Sequence, residues 1–203
     1  MVEWLQQIDT RLFFFINNGL SNPLFDWVMP FITTKQNWYP LFLLIIIFLL
    51  WKNWKKGLVV VLLLIPVIVL SDQISASLFK PFFNRVRPCQ AFETLGTVNM
   101  LIGMKTSPSF PSSHAANSFA AAAFFAHFYP KRQWLYYTLA TLVAFSRIYV
   151  GVHYPFDTLA GALLGFVCAF VVYFSYDKLK NRIDHARKNR GDEKMHQNQQ
   201  FQE

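Results

Sequence analysis

Three short polar clusters in an otherwise apolar chain carry residue types that can bind and cleave a phosphate. The first runs from Lys80 to Pro88, and two of its cations, Lys80 and Arg87, are seven residues apart. Seven residues are close to two helical turns, so helical geometry would put both cations on one side. Arginine offers a planar fork of donors to phosphate oxygens, while lysine supplies a point charge. Taken alone, the pair is also consistent with side chains that reach lipid headgroups at the end of a membrane span.

The second cluster is Pro111-Ser112-Ser113-His114, which directly precedes an apolar run. A helix that begins there leaves its first backbone N–H groups free, and that end of a helix favours bound anions. His114 is placed to donate a proton to a leaving oxygen. The alternative is that Ser112 or Ser113 caps the helix and His114 lies at the membrane interface.

The third cluster runs from Ser146 to Asp157 and includes Arg147 and His153. A charge such as Arg147 near the end of an apolar run is costly without a partner. His153 and Asp157 are four residues apart, so they share one face if the turn is helical. A carboxylate that holds one ring N–H leaves the other ring nitrogen with its lone pair free to attack phosphorus. The alternative is a structural ion pair at the end of a span.

Together the candidate residues of the clusters supply three cations, two histidines, one carboxylate and the backbone donors of a helix end. This combination suits an oxyanion, because it stabilises negative charge that is spread over several oxygens. None of the clusters contains several carboxylates, or the paired cysteines and histidines that bind metal ions. We therefore predict a phosphate site that uses no metal and no other cofactor.

The rest of the chain must hold these clusters at one depth of a membrane. Of the 203 residues, 54% are hydrophobic and 15% are charged, whereas ordinary soluble domains carry about 25% charged residues. The apolar residues form long runs separated by short basic turns, which argues against a very apolar soluble protein. We predict an all-α integral membrane helical bundle with about five transmembrane helices. The predicted spans cover residues 37–52, 57–79, 113–129, 133–150 and 156–177.

The chain divides into three predicted parts. Residues 1–36 are apolar but interrupted by polar side chains such as Asp9, so we expect amphipathic helices at the membrane interface. A sixth span over residues 11–33 is the alternative. Residues 37–177 form the transmembrane core. Residues 178–203 form a basic polar tail that is expected to be disordered in the cytoplasm.

Basic residues in the short loops predict the orientation of the bundle. The groups after the first, third and fifth spans fall on one side, which the positive-inside rule assigns to the cytoplasm. The loop of residues 80–112 and the turn of residues 150–156 then face outward, where the three clusters meet. Arg85 and Lys105 are not among the candidate site residues, and we expect solvated loop charges, with contact to a second phosphate or headgroup as the alternative. Beside membrane spans, the net charge of +8 indicates cytoplasmic retention of positive charge rather than nucleic-acid binding.

The three clusters, in this order, resemble the signature motifs of the type 2 phosphatidic acid phosphatase superfamily. The matching patterns are Lys-x6-Arg-Pro, Pro-Ser-x-His and Ser-Arg-x5-His-x3-Asp, and they span residues 80–157. The superfamily includes membrane lipid phosphate phosphatases, bacterial undecaprenyl diphosphate phosphatases, lipid A phosphatases and soluble vanadium haloperoxidases. The predicted spans disfavour the haloperoxidases.

The resemblance implies a role for each matching residue. His153 resembles the nucleophile that takes the phosphoryl group, Asp157 its partner, and His114 the acid that protonates the leaving oxygen. The positions that match phosphate-binding residues of the family are Lys80, Arg87, Ser112, Ser113 and Arg147. The family usually has glycine at Ser113, and glycine allows a backbone N–H to approach phosphate closely.

The resemblance implies a phosphatase that hydrolyses a lipid phosphate or diphosphate through a phosphohistidine. The expected location is the bacterial inner membrane, with the site facing outward. Undecaprenyl diphosphate, lipid A, phosphatidylglycerol phosphate and phosphatidic acid all suit the motifs, which read phosphate and not the lipid. A phosphotransferase that uses the same phosphohistidine is one alternative. An anion-binding transporter or an inactive structural protein is another, and the oligomeric state stays open.

Overall fold

The computed structural model describes the backbone of residues 3–200 and the side chains of residues 3–190. Within these residues the regular structure is helical and contains no β-strand, so the predicted all-α fold is confirmed. The α-helices are α1 (Glu3–Phe14), α2 (Pro23–Thr33), α3 (Tyr39–Lys52), α4 (Trp54–Gln73), α5 (Lys80–Phe83), α6 (Pro88–Ala91), α7 (Ser113–Phe128), α8 (Gln133–Tyr149) and α9 (Pro155–Gln200).

Among the described residues, two helical stretches are long and apolar enough to cross a membrane. They cover Trp54–Leu95 and Pro155–Arg190, and they contain 18-residue windows with mean hydropathies of 2.4 and 2.0. A third span is added if Pro23–Thr33 and Lys35–Lys52, which meet at a bend of 74°, cross together. Helices α7 and α8 have 16 and 17 residues, shorter than the roughly 20 residues that cross a bilayer at right angles. The number of five spans therefore stays a prediction.

Helix α7 lies at the centre of the bundle, where it packs against α4, α8 and α9. Its buried face is built from small side chains, among them Ala116 and Ala120. On α9, a Cβ atom at Gly161 would meet the carbonyl oxygen of Ser112, and one at Gly165 would meet that of Ala116. The Gly-x-x-x-Gly spacing therefore brings the two backbones into direct contact, as in close membrane helix pairs.

The first part of the chain forms two separate helices, α1 and α2. A π-helical turn, Phe15–Gly19, ends α1, and Asn22 caps α2 by accepting a hydrogen bond from the backbone N–H of Phe25 at 3.0 Å. The chain turns between them, so residues 11–33 do not form one straight span. That these helices lie at a membrane surface stays a prediction.

The end of the chain differs from the predicted disordered tail. Helix α9 continues past residue 178 as far as Gln200, while residues 201–203 lie outside the described residues. Starting a helix is the costly step, and α9 is already formed before the tail begins. The tail is rich in lysine, arginine, glutamine and glutamate, which extend a helix at low cost.

Candidate active site

A buried turn between α8 and α9 carries His153. Gly151 has a φ of +86°, and a Cβ there would lie 2.8 Å from Cγ1 of Val98. Both the backbone conformation and the space therefore require glycine. The neighbouring Val150 and Val152 are fully buried, and His153 itself is only 2% exposed. The turn thus holds the imidazole in a fixed place inside the protein.

The guanidinium of Arg87 determines which ring nitrogen of His153 carries the proton. Nη1 of Arg87 lies 3.0 Å from Nε2 of His153. Because arginine can only donate, Nε2 must accept and therefore has its lone pair free of a proton. In a neutral ring the proton then resides on Nδ1, which faces Oδ2 of Asp157 at 3.5 Å. This separation is longer than a usual N–H···O bond, and such contacts commonly shorten when substrate binds.

The ring of His153 is held neutral. Burial lowers its pKa well below the ordinary value of 6.5, and the positive charges of Arg87, Arg147 and Lys80 lower it further. A neutral imidazole with a free Nε2 lone pair is the form that can attack an electrophile.

Asp157 lies in the first turn of α9 and is fully buried. Its Oδ2 accepts a hydrogen bond from the backbone N–H of Tyr154 at 2.9 Å. Its backbone carbonyl accepts one from the N–H of Ser112 at 2.9 Å. The second bond ties the start of α9 to the start of α7, so two helix N-termini, each with a favourable potential for anions, lie side by side.

The predicted phosphate-binding cations converge around His153. Arg87 donates Nε to the carbonyl of Ser107 at 2.6 Å and Nη1 to the carbonyl of Val152 at 2.9 Å, and it is 4% exposed. Nη1 of Arg147 donates to the Thr33 hydroxyl at 2.6 Å, while its buried Nε has no hydrogen-bond partner among the described residues. Backbone carbonyls and a hydroxyl thus position these groups and leave their charge available to an anion.

The second motif forms the start of α7. Ser112 is the N-cap, and its hydroxyl faces the backbone N–H of Ala115 at 3.5 Å. Ser113 begins the helix without a positive φ, so the serine that replaces the usual glycine imposes no backbone strain. Its hydroxyl shares a 2.8 Å hydrogen bond with Ser75. His114 follows, and the charges of Arg147 and Lys80 and the ring of His153 are close enough to act on it.

The environment of Arg85 differs from the one predicted from the sequence. It is not a solvated loop charge, because its side chain is 12% exposed and lies between two fully buried carboxylates. Nη1 donates to Oδ1 of Asp157 at 2.6 Å, and Nη2 donates to Oδ2 of Asp9 at 2.7 Å. Lys105 is exposed, as expected. An arginine two positions before Arg87 was the available signal in the sequence, whereas nothing in the spacing pointed to Asp9.

The described residues contain no group of three or more histidine, cysteine or acidic side chains placed to hold a metal ion. Apart from Asp157 at Nδ1, the charged side chains that act on His153 are the three cations Arg87, Arg147 and Lys80. This donor set fits a phosphate group, whose oxygens accept hydrogen bonds from all of them.

The chain is similar in sequence to known proteins. The model of the PAP2 superfamily matches residues 56–181. A lipid A 4'-phosphatase of Bacteroides thetaiotaomicron is 35% identical over 190 residues, which cover 90% of this chain and 83% of that protein. An undecaprenyl-diphosphatase of Sulfolobus acidocaldarius is 33% identical over 135 residues, or 66% of this chain and 61% of that protein.

The fold has a match of its own among solved structures. The crystal structure of Aquifex aeolicus LpxE aligns with a TM-score of 0.66 and 32% identity, covering 81% of this chain and 93% of that chain. Residues 56–181, the region that matches the superfamily model, contain all three polar clusters. The chain therefore belongs to the PAP2 superfamily, and it is a membrane lipid phosphatase.

Proposed function

We propose that His153 is the nucleophile of a two-step hydrolysis. In the first step the N–H of Arg87 moves from Nε2 to a phosphoryl oxygen and Nε2 attacks phosphorus, so that a nitrogen–phosphorus bond forms and the bond from phosphorus to the lipid oxygen breaks. The electron pair leaves with the lipid oxygen, which takes a proton from His114. In the second step water attacks phosphorus, gives a proton to His114 and releases phosphate from Nε2. The observation that carries this proposal is the 3.0 Å contact in which Arg87 donates to Nε2.

The surrounding residues stabilise the charges that develop. Asp157 faces Nδ1 and offsets the positive charge that the ring gains as Nε2 forms its new bond. Lys80, Arg87 and Arg147, with the hydroxyl of Ser112 and the backbone N–H of Ser113, bind the phosphoryl oxygens. In a site removed from water such preorganised donors reduce the barrier strongly. They supply the charge compensation that a metal ion provides in other phosphatases, so we expect activity to persist in EDTA.

Among lipid substrates, a phosphate monoester of lipid A is the first candidate. Its support is the 35% identity to a lipid A 4'-phosphatase over nearly the whole of both chains. Undecaprenyl diphosphate is the second candidate, supported by 33% identity to an undecaprenyl-diphosphatase over a shorter region. Phosphatidylglycerol phosphate and phosphatidic acid are the remaining candidates.

The decisive experiment is phosphate release by the purified protein in detergent with EDTA present. Wild type and His153→Ala are assayed on the four lipids, with Lys105→Gln as a matched control that removes an exposed charge from the loop that carries Arg87. We expect release by wild type and the control and none by His153→Ala. Acid-labile labelling of wild type by a phosphorus-32 lipid would report the phosphohistidine. Full activity of a folded His153→Ala variant would contradict the proposal.

The role of His114 has its own test. A general acid matters most when the leaving group is poor, since a good leaving group departs without a proton. His114→Ala should therefore lose most of its rate on a lipid phosphate and much less on an aryl phosphate of low leaving-group pKa. Equal losses on both substrates would remove His114 from this role.

We further propose that the site faces the outer side of a bacterial inner membrane. The support is the distribution of basic residues in the loops. Both native cysteines, Cys89 and Cys168, are buried, so they give little background with a thiol reagent. In intact cells an impermeant maleimide should label Lys105→Cys and leave Lys131→Cys, at the far end of α7, unlabelled. The reverse pattern would place the site in the cytoplasm.

Phosphotransfer and transport give different results in the same assays. A phosphotransferase would release little phosphate until a lipid or sugar hydroxyl is added, and the phosphate would then appear on that acceptor. A transporter would move phosphate across the membrane of liposomes without cleaving the ester. Wild type and His153→Ala would then both show only background cleavage.

A further inference from the structure

We propose that Asp9 and Arg85 are positioning residues that aim Asp157 at His153, so that the N-terminal helix α1 is part of the catalytic apparatus. This inference rests on the proposed roles of His153 and Asp157. Asp9 lies outside residues 56–181, the region that matches the superfamily model.

The geometry divides the two oxygens of Asp157 between separate tasks. Arg85 binds Oδ1 at 2.6 Å, while Oδ2 accepts the Tyr154 N–H at 2.9 Å and faces Nδ1 of His153 at 3.5 Å. A carboxylate that is held at Oδ1 cannot rotate away from the ring without losing a charge-assisted hydrogen bond. Arg85 therefore acts on His153 only through Asp157.

Asp9 fixes Arg85 from the opposite side. Its Oδ2 accepts from Nη2 of Arg85 at 2.7 Å, and its Oδ1 accepts from the backbone N–H of Phe156 at 2.9 Å. The guanidinium also lies over the ring of Tyr154, 4.0 Å from its centroid. Asp9 thus contacts both Arg85 and the first turn of α9, the turn that carries Asp157. The N-terminal helix α1 thus completes the hydrogen-bond network around Asp157.

The charge balance of the three groups explains why two carboxylates are present. One guanidinium between two carboxylates leaves a net single negative charge. Without Asp9, the guanidinium of Arg85 would neutralise Asp157 alone; with Asp9, the two carboxylates share it. More of the negative charge of Asp157 is then available to the His153 ring when that ring becomes positive. The charged and titratable groups that act on Asp157 are Asp9, Arg85, Arg87, His153 and Tyr154.

The test is a double-mutant cycle of Asp9→Asn and Arg85→Gln, read as kcat and KM against pH. Asp9→Asn should reduce kcat about tenfold and Arg85→Gln about a hundredfold, the range for second-layer contacts, with little change in KM. Arg85→Gln leaves two buried carboxylates together without a cation, so one binds a proton at higher pH. Its acidic limb should therefore move to higher pH. Adding Asp9→Asn removes the repulsion, so the double variant should be more active than Arg85→Gln alone.

Matched controls separate positioning from folding. Glu3→Gln removes an exposed carboxylate from the same helix as Asp9, and Lys105→Gln removes an exposed cation from the loop after Arg85. Both should keep wild-type kcat and pH profile, and Arg85→Lys should recover part of the activity. Additive losses in the cycle, or an Asp9→Asn variant that behaves like Glu3→Gln, would overturn the inference. If Asp9→Asn is unaffected while His153→Ala is inactive, the inference fails alone; if His153→Ala is active, the proposed function fails first.

Discussion

Replacing Arg87 with lysine keeps the positive charge but removes the shape of the guanidinium. Arg87 donates to the carbonyls of Ser107, Val152 and Pro108 at 2.6, 2.9 and 3.2 Å, to the Ser107 hydroxyl at 3.1 Å and to Nε2 of His153 at 3.0 Å. A lysine ammonium has three donors on one atom, so at least two of these bonds are lost. At about 1.5 kcal/mol for each charge-assisted bond, the loss is about 3 kcal/mol.

These bonds hold the guanidinium in place, and a misplaced ammonium that gives up about two charge-assisted bonds to the phosphoryl oxygens would lower kcat/KM by about two orders of magnitude. The assay is phosphate release from a lipid substrate, with elution volume and thermal unfolding in detergent as measures of folding. Arg132→Lys, at an exposed arginine between α7 and α8, is the matched control and should keep wild-type activity. If folded Arg87→Lys retains a kcat/KM close to that of Arg132→Lys, charge alone is sufficient at this position. The reasoning from hydrogen-bond geometry would then be refuted.

Three further predictions concern packing, pH and inhibition. Gly165→Ala places a Cβ against the backbone of Ala116 and 2.7 Å from the backbone nitrogen of Ala120. It should destabilise the fold by about 2 kcal/mol or more, measured as a lower unfolding temperature, whereas Gly19→Ala, with its Cβ 3.5 Å from a flexible Phe15 side chain, should not. Because the pKa of His153 is depressed by burial, its imidazole stays neutral below pH 6.5, where the unfolded chain takes up a proton. Stability should therefore fall as pH drops below about 6.5, and a His153→Gln variant should show a smaller fall. Vanadate should inhibit competitively as a phosphate mimic, and failure at millimolar concentration would count against the anion site.

The sequence predicted the contacts of the candidate site that are local and missed those that are not. His153 and Asp157 are four residues apart, and Ser112 directly precedes α7, so spacing alone indicates their relation. Arg85 contacts Asp157 across 72 positions of the chain and Asp9 across 76. No periodicity reports such a separation, which depends on how α1 packs against α9. Arg85 was therefore predicted to be solvated, although its side chain is only 12% exposed.

The fold shows the same division. Apolar runs predicted the helices of the core, because hydrophobicity and helix formation are both local properties of the chain. The tail was predicted to be disordered because its polar composition provides few apolar side chains that could pack in a core. Helix α9 continues into it because a formed helix extends without a new nucleation step. Composition describes the isolated segment and carries no information about the helix that precedes it.

The way Arg87 and Arg147 are held has a consequence for turnover. In the part of the chain whose side chains are described, neither forms an ion pair with a carboxylate, and backbone carbonyls and the Thr33 hydroxyl hold them instead. We expect cations held in this way to attract inorganic phosphate as well as the phosphorylated lipid. The released product should then compete with the next substrate for the same place. We therefore expect turnover to slow as the phosphate concentration rises on the side that the site faces, a feedback from the product of the reaction.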